Sequence, residues 1–199
     1  MSPFIKICGI TNENDAMQCV HLGVHFLGFI FAQSPRRVSA EIAADIISKL
    51  PNKVKTVAVF KNNPIDYVLG ILQQCKFDLV QLHGNEGIGY INLLKKPIIK
   101  GFDMHEEDIA AKVSKYRGAI PLLDLPKETE AEIPFDIAVR IANRQPIMIA
   151  GKITIDNINE VIKKIKPMTV DICSGVEKEP GIKDHDLLEK MMTAIRSFS

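Results

Sequence analysis

Eight short apolar runs, separated by segments of helical period, constrain this chain more than any other feature of its sequence. They span residues 4–8, 26–31, 55–60, 79–83, 98–102, 120–124, 147–150 and 170–173. Each is apolar almost throughout rather than alternating, which is the pattern of strands buried on both faces. Between them lie stretches with helix start signals. Asn12 precedes Glu13-Asn14-Asp15 and a stripe of Ala16, Val20 and Leu22, and Ser39 precedes a stripe of Ile42, Ile46, Ile47 and Leu50. Asn63-Pro64 opens 65–74 with proline at the first helical position, Thr154 caps 155–165, and Lys183-Asp184 opens 187–198.

Strands that alternate with helices pair in parallel through right-handed crossovers. Eight such units predict a closed (β/α)8 TIM barrel, compact against the usual ~250 residues. A doubly wound open sheet is the competing architecture, but it needs only five or six strands. No linker, repeat or charge block divides the chain, so the expectation is a single domain over residues 1–199. The one break in pattern, 126–134, is polar and acidic (Lys127, Glu128, Glu130, Glu132) and reads as a loop.

Composition narrows the function classes. With 46% hydrophobic residues, a chain of 199 residues has ample material for a core without staples. Lys+Arg 25 against Asp+Glu 24 leaves a net charge of +1, which argues against nucleic acid as a partner. No apolar run approaches the roughly 18 residues of a membrane span, so no membrane partner is expected. The start, Met1-Ser2-Pro3-Phe4-Ile5-Lys6, lacks the plan of a signal peptide. Cys8, Cys19, Cys75 and Cys173 show neither a CxxC pair nor metal-ligand spacing, so a reducing cytoplasm is the expected compartment. Cys19 and Cys75 fall inside helical patterns and read as buried thiols.

In such a barrel the active site lies where strands end and the following loops begin. The polar residues there are Lys6 and Cys8, then Ser34-Pro35-Arg36-Arg37, Asn62, and Gln81 with His83. Asp124, Gly151-Lys152, and Asp171, Cys173, Ser174 and Gly175 complete the set. It holds a thiol, a carboxylate and an arginine pair. The histidines are scattered and no carboxylates cluster near them, so no metal is expected.

Lys6-Ile7-Cys8-Gly9-Ile10-Thr11, at the end of the first strand, resembles the opening signature of the phosphoribosylanthranilate isomerase family. The likeness continues through Gly28-Phe29-Ile30-Phe31, Ser34-Pro35-Arg36-Arg37-Val38-Ser39, and Val59-Phe60 with Asn62. It resumes at Val80-Gln81-Leu82-His83-Gly84-Asn85-Glu86, Leu122-Leu123-Asp124, Val170-Asp171-Ile172-Cys173-Ser174-Gly175-Val176-Glu177 and Pro180-Gly181-Ile182-Lys183-Asp184-His185. These motifs run in order over nearly the whole chain, and their combination is far more specific than any one of them.

The resemblance implies a (β/α)8 barrel and the Amadori step of tryptophan biosynthesis, run without metal or cofactor on a small phosphosugar by a monomer or homodimer. It implies Cys8 as general base and Asp124 as general acid. Arg36 would clamp the anthranilate carboxylate through a planar bidentate pair, with Arg37 an exposed turn residue. Gln81, His83 and Asp171 would face the substrate at the mouth, while Gly151 and Ser174-Gly175 would offer backbone N–H groups to phosphate. Cys173 would line the pocket as a small residue. Gly101, Gly118 and Gly181 read as turn glycines.

This sequence departs from the family pattern twice. Where the family follows its strand-six aspartate with a stretch of the form GGxGKxFDW, Asp124 is followed by Leu125 and the acidic segment up to Pro134. Two glycines after the seventh strand become Gly151-Lys152, so Lys152 brings a cation to the phosphate end. Two other readings stay open on sequence alone: another phosphosugar barrel enzyme, and a non-catalytic relative that binds a phosphorylated ligand.

Overall fold

The computed structural model describes residues 2–124 and 134–198. Eight parallel strands follow one another around a closed barrel: β1 (Phe4–Cys8), β2 (Phe26–Ile30), β3 (Lys55–Phe60), β4 (Leu79–Leu82), β5 (Ile98–Asp103), β6 (Ile120–Asp124), β7 (Met148–Ala150) and β8 (Thr169–Ile172). Closure comes from β8 pairing with β1 in the register Lys6↔Asp171 and Ile7↔Ile172. That pairing excludes the open doubly wound sheet. Every barrel strand lies within a residue of the run expected for it.

The two-sided burial explains the apolar runs. Ala58 and Phe60 point out of the barrel with Ile7, Phe29 and Val80 and pack under the helices. Val57 and Val59 point inward, where they fill the interior with Ile99, Leu122, Met148 and Cys8. Gly28 leaves room inside, because a Cβ there would sit 2.8 Å from Cys8 Sγ and 3.0 Å from Lys6 Nζ.

The helices are α1 (Glu13–His21), α2 (Ala40–Lys49), α3 (Ile65–Gln74), α4 (Ile88–Ile91), α5 (Ile109–Lys115), α6 (Phe135–Ala142), α7 (Ile158–Ile165) and α8 (His185–Arg196). Asn12, Ser39 and Asp184 cap α1, α2 and α8 by accepting from Asp15, Ile42 and Leu187 N–H groups. Each such cap is worth about 1 kcal/mol. A short antiparallel ribbon, β9 (Glu177–Glu179) with β10 (Ile182–Lys183), lies between β8 and α8.

Four local expectations need correction. Thr154 caps nothing: α7 starts at Ile158, and the Asn157 side chain instead accepts from the Thr154 N–H at 2.9 Å. Pro64 occupies the N-cap of α3 rather than its first turn. α8 starts at His185, two residues early. Gly101 lies within β5, not in a turn, and a Cβ there would come within 3.1 Å of the His83 ring. Gly118 and Gly181 do take the left-handed conformation of turn glycines. The loop expected at 126–134 falls outside the described residues except for Pro134, which leads into α6. Among the described residues, no helix is long and apolar enough to cross a membrane.

Candidate active site

A cavity of about 300 Å³ opens at the C-terminal ends of the strands. Its wall includes Cys8, Arg36, Gln81, His83 and Asp124, together with Gly151, Lys152, Asp171, Ser174 and Gly175, so the residues to which the resemblance gives a catalytic or binding role, and Lys152, border one space. Cys173 and Ser34 also border it, whereas Arg37 does not and bonds the Tyr67 hydroxyl at 3.1 Å. Asn62 stands apart as well: its side chain accepts from the Asn85 N–H and shapes the loop after β4.

Cys8 ends β1 with its side chain inward, two residues after Lys6. The register that pairs Lys6 with Asp171 places Cys173 beside Cys8 in the same way. Lys6 is fully buried, and its ammonium donates to both Asp171 oxygens, at 2.9 and 2.8 Å. Burial works against that ammonium, yet Asp171 and then Cys8 hold its pKa above the ordinary lysine range. Asp171 itself is pushed up to about 6, because burial outweighs the attraction of Lys6. Asp171 therefore borders the cavity as the partner of a lysine.

The Cys8 thiol is held well below the usual cysteine range. The neighbouring Cys173 thiol and the Lys6 and Lys183 charges draw it down against the opposing effect of burial, while the Cys173 thiol itself points to Glu177 Oε1 at 3.8 Å. Cys173 is pushed upward, first by the neighbouring Cys8 thiol and then by burial. Of the two thiols, Cys8 is the one drawn toward the anion, with the buried ammoniums of Lys6 and Lys183 beside it. Cys19 and Cys75 are buried away from the cavity, and burial raises both, Cys19 to about 12.

Across the mouth, His83 Nε2 lies 2.8 Å from Asp124 Oδ2, and its other ring nitrogen is 3.1 Å from Gln81 Nε2. Arg36 is already engaged. Its Nε lies 2.9 Å from each Glu177 oxygen and its Nη2 lies 2.6 Å from Oε2. A guanidinium has two edges for bidentate pairing, so a ligand carboxylate would meet the Nη1–Nη2 edge.

The loops after β7 and β8 touch at Gly175, where a Cβ would sit 1.9 Å from the Ile153 carbonyl oxygen. Gly151 and Lys152 both take positive φ, 81° and 48°. Lys152 thus adopts the left-handed conformation that a second glycine would enter freely. The other departure from the family pattern, after Asp124, lies outside the described residues up to Ile133.

Sequence reasoning gave Glu177 no role and Lys183 only a place before the last helix. Glu177 holds Arg36, and Lys183 donates to the Cys8 carbonyl at 2.6 Å. The signal available was their place in the quoted motifs of residues 170–177 and 180–185, which says nothing of burial.

A family described as "PRAI: N-(5'phosphoribosyl)anthranilate (PRA) isomerase" matches residues 5–194. The N-(5'-phosphoribosyl)anthranilate isomerase of Geobacter metallireducens is 40% identical over 186 residues, covering 90% of this chain and 92% of that protein. A solved phosphoribosyl anthranilate isomerase, in complex with reduced 1-(o-carboxyphenylamino)-1-deoxyribulose 5-phosphate, superposes with a TM-score of 0.90 at 30% identity. The match covers 98% of this chain and 99% of that one. Monomers generated from the dimeric Thermotoga maritima enzyme superpose with a TM-score of 0.88 at 30% identity, over 98% of each chain. A family match across nearly the whole sequence, together with the barrel and its cavity, shows that this chain belongs to the N-(5'-phosphoribosyl)anthranilate isomerase family.

Proposed function

We infer that this chain is an isomerase of tryptophan biosynthesis, converting N-(5-phosphoribosyl)anthranilate to 1-(2-carboxyphenylamino)-1-deoxyribulose 5-phosphate. The observation that carries the assignment of roles is that the Cys8 thiol, at the end of β1, faces the same cavity as Asp124 and Arg36.

The reaction needs an acid for the ring oxygen and a base for the C2′ proton. Asp124 gives its proton to the furanose oxygen as the C1′–O bond breaks, which leaves a protonated Schiff base at C1′. The Cys8 thiolate takes the proton from C2′, and the C–H electron pair neutralises the iminium to give an enolamine. Return of a proton to C1′ and loss of the enol proton complete the aminoketose, with no net change in atoms or electrons.

Arg36 would hold the anthranilate carboxylate by its free edge, while Gln81 and His83 border the sugar. Gly151, Lys152, Ser174 and Gly175 would receive the phosphate from the loops after β7 and β8. Asp171 shapes the site through Lys6. One barrel domain over residues 1–199 is the unit to which we assign this activity, as a monomer or homodimer working without cofactor in the cytoplasm. Free thiols at all four cysteines suit that compartment.

The test is an anthranilate-fluorescence assay with freshly generated phosphoribosylanthranilate. Protein-dependent loss of fluorescence beyond spontaneous decay supports the assignment. Tight binding of the substrate without turnover would instead mark a non-catalytic relative.

A further inference from the structure

Lys183 is buried, and its ammonium has no access to solvent. All its contacts face the candidate base. Nζ lies 2.6 Å from the Cys8 carbonyl oxygen, 3.0 Å from Glu177 Oε1 and 3.4 Å from the Cys173 carbonyl oxygen. Three acceptors match the three donors of an ammonium. Its main-chain N–H is spent on Asp15, which also lies 2.8 Å from His185 Nε2. Lysine is thus tied down at both ends.

Burying a cation is costly unless opposite charge compensates it. The cations around Cys8 are Lys6 from β1, Lys183 from β10 and Arg36 from the loop after β2. Among the described residues two carboxylates pair with these charged ends: Asp171 takes Lys6, and Glu177 is shared between Arg36 and Lys183, while Asp15 is engaged by the Lys183 main-chain N–H and by His185. Asp124 lies across the mouth on His83, and Cys173 contributes a neutral thiol. Three cations against two carboxylates leave room for one more anion, and the Cys8 thiolate fills it.

We propose that Lys183 is a positioning residue for the isomerisation: it fixes the end of β1 through the Cys8 carbonyl and favours the thiolate of Cys8, with Glu177 anchoring it from the other side. The proposal rests on the reading of Cys8 as the base. It gives the β9–β10 ribbon a task, which is to deliver a cation across the β1–β8 seam.

The test follows the rate of Cys8 alkylation by iodoacetamide against pH in the full chain, read by mass at the Cys8 peptide, beside the pH profile of kcat/KM. Lys183→Met should move the alkylation midpoint and the acid limb of kcat/KM upward together by about one pH unit or more, the scale of an opposite charge withdrawn at contact distance. Glu177→Gln keeps the shape and removes an anion, so it should move the midpoint downward while raising KM through the loosened Arg36. Shifts of opposite sign are not what a merely structural role produces. If Lys183→Met does not fold, the Glu177→Gln arm decides alone. An unmoved midpoint in folded Lys183→Met, or an unmoved or raised midpoint in Glu177→Gln, overturns the proposal. Alkylation needs no substrate, so a wild type without turnover would overturn the functional reading separately.

Discussion

His83 Nε2 lies 2.8 Å from Asp124 Oδ2 while Gln81 Nε2 stands 3.1 Å from the opposite ring nitrogen, so the imidazole spans a glutamine and the candidate acid. The ring thus ties the Gln81 amide on its Nδ1 side to the Asp124 carboxyl on its Nε2 side. Gln81 Oε1 is buried with no hydrogen-bond partner among the described residues. The histidine therefore sets where the acid points. His83→Ala should lower kcat by about 10-fold, a fraction of the usual contribution of general acid–base catalysis, with a smaller change in KM. A change confined to KM would make His83 a ligand contact instead.

Arg36 should act on binding. Its carboxylate contact is a charge-assisted bidentate pair worth roughly 1.5–3 kcal/mol, so Arg36→Ala should raise KM about 10- to 100-fold. Arg37→Ala, which removes only an exposed contact to Tyr67, should do much less. Steady-state kinetics on both variants decide the register of this loop.

Cys173 lies beside Cys8 by strand register, and of the groups around the Cys8 thiol it is the one that draws it down most. Because the Cys8 pKa is lowered, kcat/KM should climb as pH rises through a value well under the roughly 8.5 of a free thiol and stay high at neutral pH. Cys173→Ser keeps a donor and should leave that acid limb low. Cys173→Ala removes the donor and should move the limb upward. A limb unmoved by Cys173→Ala would contradict the role given to Cys173.

Lys152 pays for its position in backbone conformation, since left-handed φ costs a side chain roughly 1–2 kcal/mol. Lys152→Gly should therefore raise thermal stability, measured by calorimetry. If the ammonium holds phosphate, the same change and Lys152→Ala should each weaken substrate binding by about 1–2 kcal/mol, and wild-type affinity should fall as salt rises. Undiminished binding by Lys152→Gly would show that the lysine is no phosphate ligand.

The barrel was legible because strands covered on both faces must be apolar on both, and this pattern survives in the one-dimensional sequence. Cys8, Arg36 and Asp124 were legible because each sits within a quoted motif at or just beyond a strand end. Of the partners that tune them, Lys6 stands beside Cys8 in the first motif and was legible; Glu177 and Lys183 were not. Arg36 meets Glu177 across 141 positions and Lys183 meets Cys8 across 175, contacts that exist only once β8 closes on β1. Gly101 was misread for the same reason: β4 and β5 pair Leu82 with Lys100, so the next residue along meets His83, and only glycine leaves space for the ring. The start of α7 was missed because Asn157 folds back on Thr154, a local choice that periodicity does not record.

The pairing of Cys8 and Asp124 as base and acid is tested most directly by kcat for Cys8→Ala and Asp124→Asn, measured by anthranilate fluorescence on folded protein. Each change should lower kcat by at least ~10²-fold, the usual scale for a general acid or base, while circular dichroism and melting stay close to wild type. Turnover near the wild-type rate in either variant would contradict the account.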